Sequence, residues 1–240
     1  MATTSRRQAT DATVDKHAFL RRHSLFGQLC PVAIEHLGSY MKRRNLPRGT
    51  VIFAKGDPGT GLICVLAGAV KISMLSADGR EIVFSIMQEG DIFGEIALLD
   101  NNPRTADATA ITDCELMVIE RRDLIPFLRY QPDLPIHIIK VLCSRLRRTT
   151  EQVQDLAFLN SRTRLAKTLL QLINDGAPPG PAPKLAITQH EISQIVGRSR
   201  ESTNKQLRSW AKEGLICLER RGVVILNRDK LAEMAAQGFG

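Results

Sequence analysis

The chain has 240 residues, 43% hydrophobic and 24% charged, which suits a globular protein of one large or two moderate domains. No apolar run approaches the ~18–20 residues of a membrane span, and the opening MATTSRRQATDATVDKH lacks the apolar core of a signal peptide, so the reading is cytosolic with no membrane partner. The net charge of +8 is uneven: residues 1–160 carry 20 Lys and Arg against 18 Asp and Glu, residues 161–240 carry 13 against 7, and the basic final third is the footprint of a nucleic-acid binder.

Residues 1–16 are polar and expected to be disordered. From 17 to 45, apolar positions recur three and four apart through LFGQLCPVAIEHLGSYM, which predicts helix. The texture changes from about 48 to 120. TVIFA, GLICVLAGAVKISML, EIVFSIM and CELMVIE are short runs rich in Val, Ile and Leu, separated by turns with Gly56, Gly59, Gly61, Gly68, Gly79 and Gly90. Such strands predict an antiparallel β-roll or jelly roll. Cys30, Cys64, Cys114, Cys143 and Cys217 show no CxxC or metal-like spacing, so no disulfide framework and no metal site are signalled, and buried reduced thiols are expected.

Within this segment FGEIALLDNNPRTADATA, residues 93–110, reads as a turn and a short helix between two strands. Glu95 can accept hydrogen bonds from vicinal hydroxyls, and Arg104, nine positions on, presents a planar fork of donors suited to a phosphate. A ribose phosphate satisfies both; a surface ion pair flanking a loop is the competing reading.

A long helix is predicted over 133–159, with no Gly or Pro beyond Pro135. Ile139, Leu142, Leu146, Thr149, Val153 and Leu156 alternate spacings of three and four, the seam of a coiled coil pairing with its own copy, although an ordinary core face shares that spacing. Thr149 puts a hydroxyl into the seam, and such a group costs stability unless something bonds to it. Thr150 adds a second.

The basic third opens with a helix, SRTRLAKTLLQLI, and a Pro- and Gly-rich surface loop, NDGAPPGPAPK. Thr188 and Glu191 form a capping box, Gly197 marks a turn, Ser199 caps a second helix and Gly214 ends it: a helix-turn-helix. Ile192, Ile195, Val196, Leu207 and Trp210 would hold the two helices together, leaving Arg200, Glu201, Lys205 and Arg208 outside, the geometry of major-groove readout. LICLERRGVVILN reads as the hairpin of a winged helix. His137 and His190 lie on predicted helices without a catalytic or metal-like pattern, so no enzyme constellation competes.

The order β-roll, long helix, winged helix-turn-helix resembles the CRP/FNR family of transcription regulators, in particular its catabolite-activator-like members. FGEIALLDNNPRTADATA is similar to the phosphate-binding cassette of cyclic-nucleotide-binding domains, RLRRTTEQVQDLAFL to the family's dimer helix, ITQHEISQIVG to the first helix of its DNA motif and RSRESTNK to the start of its recognition helix. The resemblance implies an α+β fold with a cyclic-nucleotide-binding domain at 17–132, a dimerisation helix at 133–159 and a DNA-binding domain at 160–240. It also implies a homodimer with cAMP or cGMP as allosteric effector, a palindromic DNA operator, and RNA polymerase as a further partner.

Gly94, Glu95, Ile96, Arg104, Thr105 and Ala106 would form the nucleotide site, with Glu95 on the ribose 2′-hydroxyl and Arg104 and Thr105 on the phosphate. Thr149, with the partner subunit's Thr150, would bond the purine. Arg200, Glu201 and Lys205 would read bases, while Thr188, Gln189, Ser199 and Ser202 join the DNA contacts. Three departures stand out: Lys205 occupies an Arg position, Gln189 replaces a phosphate-contacting Arg, and loop 174–184 does not resemble the polymerase-contacting segment. The alternative function is a cyclic-nucleotide-gated signalling module whose basic winged helix binds a protein.

Overall fold

The computed structural model describes residues 16–77, 81–176, 183–185, 187–219 and 222–237. Its first part is built on eight strands: β1 (Lys42–Leu46), β2 (Val51–Phe53), β3 (Gly61–Ala67), β4 (Val70–Leu75), β5 (Glu81–Met87), β6 (Ile92–Phe93), β7 (Asp107–Ala110) and β8 (Cys114–Glu120). They pair antiparallel in two four-stranded sheets, ordered β1-β8-β3-β6 and β2-β7-β4-β5. This is the predicted roll. The run GLICVLA of β3 is apolar throughout because both of its faces are covered. Ile63 and Val65 point between the sheets, while Leu62, Cys64 and Leu66 point to a core shared with helices, as the twofold alternation of a strand requires. β8 divides in the same way, Leu116 to the first side and Met117 and Ile119 to the second.

The helices on that outer face are α1 (Lys16–Arg22), α2 (Pro31–Tyr40), a short α3 (Glu95–Asp100) and α4 (Arg121–Tyr130). The predicted helix over 17–45 is therefore two helices, broken by turns over residues 23–30, and it stops at Tyr40 because Lys42–Leu46 pairs with β8 in register Lys42↔Val118 to Leu46↔Cys114. The expectation for residues 1–16 falls, apart from Lys16 in α1, outside the described residues. α5 (Asp133–Phe158) is the long helix, and α6 (Ser161–Gly176) follows after a break at Leu159. Asn160 Oδ1 restarts the chain by accepting hydrogen bonds from the Arg162 and Thr163 amides, both at 3.0 Å. The helix takes in residues 174–176 of the predicted loop; residues 177–182 lie outside the described ones.

The C-terminal part contains β9 (Lys184–Leu185), α7 (Gln189–Val196), α8 (Arg200–Lys212), β10 (Ile216–Glu219), β11 (Gly222–Ile225) and α9 (Arg228–Ala236). Its own core gathers Leu165, Leu169, Ile192, Val196, Leu207 and Trp210. β9 and α9 are additions to the elements expected from the sequence; β9 joins β11 to make a three-stranded wing sheet. A side-chain hydrogen bond ties this part to the roll. Gln194 Nε2 on α7 donates to Glu81 Oε2 on β5 at 2.5 Å, and Glu81 also accepts from Lys71 Nζ at 2.7 Å and Ser73 Oγ at 2.6 Å. Burial resists ionisation of Glu81, but the Lys71 and Ser73 bonds, the Lys71 charge and Gln194 outweigh it and hold the carboxyl below its ordinary range. Gln152 of α5 meanwhile donates to the Phe84 carbonyl.

The thiols depart from expectation. All five are free, but only Cys64 and Cys114 are buried. Cys30 lies at the start of α2, Cys143 on an uncovered face of α5, and Cys217 at an outward position of β10. Burial pushes the Cys64 thiol up to about 12, which leaves it an inert core group. Among the described residues no helix is long and apolar enough to cross a membrane.

Candidate functional site

The cassette is assembled by a turn that only glycine fits. Gly94 holds φ 83° and ψ 6° at the entry to α3, and a Cβ there would meet Arg104 Nη1 at 2.4 Å and the Gly61 carbonyl at 3.0 Å. This close approach puts Glu95 and Arg104 side by side. Both are buried, at 4% and 6% exposure. Arg104 donates from Nη1 to Gly94 O at 2.7 Å and from Nη2 to Gly61 O at 2.9 Å, and its guanidinium lies 4.2 Å from the centre of the Phe53 ring. Its Nε, also buried, has no partner among the described residues. Burial lowers the Arg104 pKa, against the raising influence of the Glu95 and Asp57 carboxylates; an arginine so placed stays charged.

Glu95 is paired from a direction that the sequence did not indicate. Arg145 of α5 donates from Nη1 to Glu95 Oε1 at 2.5 Å, and its Nη2 donates to the Ile92 carbonyl. The long helix is thus tied to the cassette by a charge-assisted bond. The available clue was spacing, since Arg145 stands one turn before Thr149 on α5.

The remaining cassette residues divide. Thr105 is exposed beside Arg104, Ala106 is buried, and Ile96 turns its side chain outward. Thr149 and Thr150 are exposed on α5. The Thr150 hydroxyl donates to Leu146 O at 2.9 Å, which leaves its oxygen free to accept. Ile139, Leu146, Val153 and Leu156 of the seam are all more than half exposed, Leu146 at 68%, so α5 carries an uncovered apolar stripe.

In the C-terminal part the predicted caps form. Thr188 Oγ1 accepts from the Glu191 amide at 3.2 Å, and Glu191 Oε2 accepts from the Thr188 amide at 2.7 Å. The Thr188 hydroxyl also donates to Glu191 Oε2, so the cap engages it fully. Gln189, next in line, is half-buried at the first position of α7. Ser199 Oγ accepts from the Ser202 amide at 3.2 Å and starts α8. Thr203, Leu207 and Trp210 are buried beneath this helix; Arg200, Glu201, Lys205 and Arg208 are exposed, and Ser202 is half-buried.

Residues 43–131 match the cyclic nucleotide-binding domain, and residues 163–234 match the Crp-like helix-turn-helix domain. The CRP-like cAMP-activated global transcriptional regulator of Mycobacterium tuberculosis is 38% identical over 219 residues, covering 90% of this chain and 98% of that one. The chain belongs to the CRP/FNR family of transcription regulators.

The cyclic AMP receptor protein of Thermus thermophilus is 33% identical over 211 residues, 88% of this chain and 96% of its own. Among solved structures, the c-di-GMP responsive global regulator CLP of Xanthomonas campestris superposes with a TM-score of 0.71 at 29% identity, over 82% of this chain and 99% of that one. This CRP/FNR protein is therefore a cyclic-nucleotide-responsive, DNA-binding transcription regulator. The roll is the part that matches the nucleotide-binding domain, and the winged helix is the part that matches the helix-turn-helix domain.

Proposed function

We propose that the regulator binds a 3′,5′-cyclic purine nucleotide in the cassette and responds by repositioning two recognition helices on a palindromic operator. The support is the pair of buried opposite charges, Glu95 and Arg104, held together at the Gly94 turn. In this reading the Glu95 carboxylate accepts from the ribose 2′-hydroxyl, while Arg104, Thr105 and backbone amides near Gly94, Ile96 and Ala106 hold the cyclic phosphate. The purine reaches Thr149 of one protomer and the partner subunit's Thr150. We assign cAMP as first effector, because the mycobacterial and Thermus relatives are named for it, and cGMP is the competitor to test.

The homodimer forms along the exposed stripe of α5, where covering Ile139, Leu146, Val153 and Leu156 removes apolar surface from water. The working division is 17–132 for nucleotide, 133–159 for dimerisation and 160–240 for DNA. Arg200, Glu201 and Lys205 read base edges, whereas Gln189, Ser199 and Ser202 reach the backbone; the role of Thr188 is the helix cap. The protein works in the cytoplasm, with RNA polymerase as partner.

Calorimetric titration with cAMP and cGMP, with and without promoter DNA, tests the reading. We expect one nucleotide to bind and to tighten DNA association, and DNA to tighten nucleotide binding by the same factor. DNA affinity should fall steeply with salt. Nucleotide binding with no such coupling, or a winged helix that ignores DNA, would return the protein-binding alternative.

A further inference from the structure

The face of α8 that turns outward holds more than its charges. Arg200, Asn204 and Arg208 stand at successive turns along one ridge, and Glu201 and Lys205 stand one turn apart on the next. Asn204 is half-buried and lines, with Glu201, Lys205, Arg208, Ser209 and Lys212, an open concavity of about 670 Å³. It is the one carboxamide in that set. The buried anchor of the helix is Thr203, Leu207 and Trp210, so the Asn204 side chain is not part of the apolar core.

Its Oδ1 is buried and has no hydrogen-bond partner among the described residues. An acceptor held in this way is costly in a folded protein unless another molecule supplies the donor. The torsion that aims it, χ2 of an asparagine, is broad and roughly twofold, and with a change of χ1 it lets the edge of the amide swing into the concavity. Once turned outward it presents an acceptor and a donor in one plane. That pattern matches the N6 amine and N7 of adenine in the major groove, and an arginine, lysine or glutamate cannot offer it.

We propose that Asn204 is a further specificity-determining residue of this regulator, reading an A·T pair in each half-site beside the pairs read by Arg200 and Glu201. The proposal rests on α8 being the helix that enters the major groove.

The test is binding-site selection on full-length, nucleotide-loaded protein, wild type against Asn204→Ala, followed by affinities for single-pair variants of the selected site. We expect Asn204→Ala to relax the preference at one symmetric position and to lose about 5- to 140-fold in affinity for each half-site of the selected site, with unchanged affinity for sites already altered there in both half-sites. Replacing that adenine by 7-deazaadenine should weaken wild type and leave Asn204→Ala unaffected. Identical motifs for wild type and Asn204→Ala would overturn the proposal, as would a loss uniform across all sequences, which marks a phosphate contact, or a relaxed position that prefers G·C. Arg200→Ala and Glu201→Ala, run in parallel, separate this from the wider reading: if they too leave the motif intact, α8 is not the reading helix.

Discussion

Arg104→Met should cost both the ligand and part of the fold. The guanidinium serves two carbonyls, Gly94 O at 2.7 Å and Gly61 O at 2.9 Å, and covers the Phe53 ring. Leaving a buried acceptor unmade costs about 1–3 kcal/mol, and the ring contact adds about 0.5–2 kcal/mol. Methionine refills part of the stem volume, so we expect a net loss of about 3 kcal/mol, or about 6–12 °C in Tm for a chain of this size. Urea unfolding followed by circular dichroism should show a lower midpoint at unchanged slope, and cAMP should raise the midpoint of wild type only. Trp210 is the single tryptophan and sits in the winged-helix core, so its fluorescence reports that core separately. Arg104→Lys keeps the charge but cannot bridge both carbonyls, and should recover less than half of the loss. A Met variant within about 0.5 kcal/mol of wild type, the scatter of ordinary surface changes, would refute the reasoning that Arg104 clasps the cassette.

Three further outcomes are expected. Arg145→Met and Glu95→Gln should each destabilise the protein by about 2–3 kcal/mol, less than a fully buried pair would lose because Arg145 is partly exposed, and the double variant should fall short of their sum by about 1–2 kcal/mol in urea unfolding; additive losses would deny the pairing. His23 is buried, and desolvation lowers its pKa against a raising contact with the Gly90 backbone, so the unfolded chain takes up the proton first: stability is fully present above about pH 6.5 and is lost as pH falls toward the depressed folded value. His23→Asn, whose Oδ1 can keep the bond from the Leu25 amide, should flatten that slope in unfolding measured from about pH 7.5 to 5.5. Thr149→Val should tighten self-association in sedimentation equilibrium and weaken discrimination between cAMP and cGMP; if neither moves, the Thr149 hydroxyl touches no base.

Elements whose local chemistry is self-contained could be read from the residues alone. The Thr188–Glu191 box, the left-handed Gly197 and the Ser199 cap each need only three or four neighbouring residues, and all three form as expected. The strands of the roll declared themselves by apolar runs and turn glycines. Lys42–Leu46 did not, because KRRNL has no apolar alternation: it is paired along its length with β8, more than sixty residues away, whose Glu115 and Glu120 match the charges of Arg43 and Lys42. β9 is two residues long and exists only because β11 offers an edge to it.

The candidate site shows the same division between local and distant causes. Gly94, Glu95 and Arg104 lie within eleven residues, and their spacing carried the chemistry of a sugar phosphate. Arg145 lies fifty residues beyond Glu95, in a stretch where Arg147 and Arg148 look equally eligible. What selects it is the phase of α5. The helix buries Leu134 and Ile138 against the roll, and residues on that flank at further turns, Arg145 among them, face the cassette, while Leu146 and Val153 face away into the uncovered stripe. One helix therefore presents its cation to Glu95 and leaves its apolar stripe uncovered on the opposite flank. If the nucleotide takes Glu95 as proposed, it competes with Arg145 for the same carboxylate, and the Glu95–Arg145 bond is then where nucleotide binding would act on the helix proposed to hold the dimer.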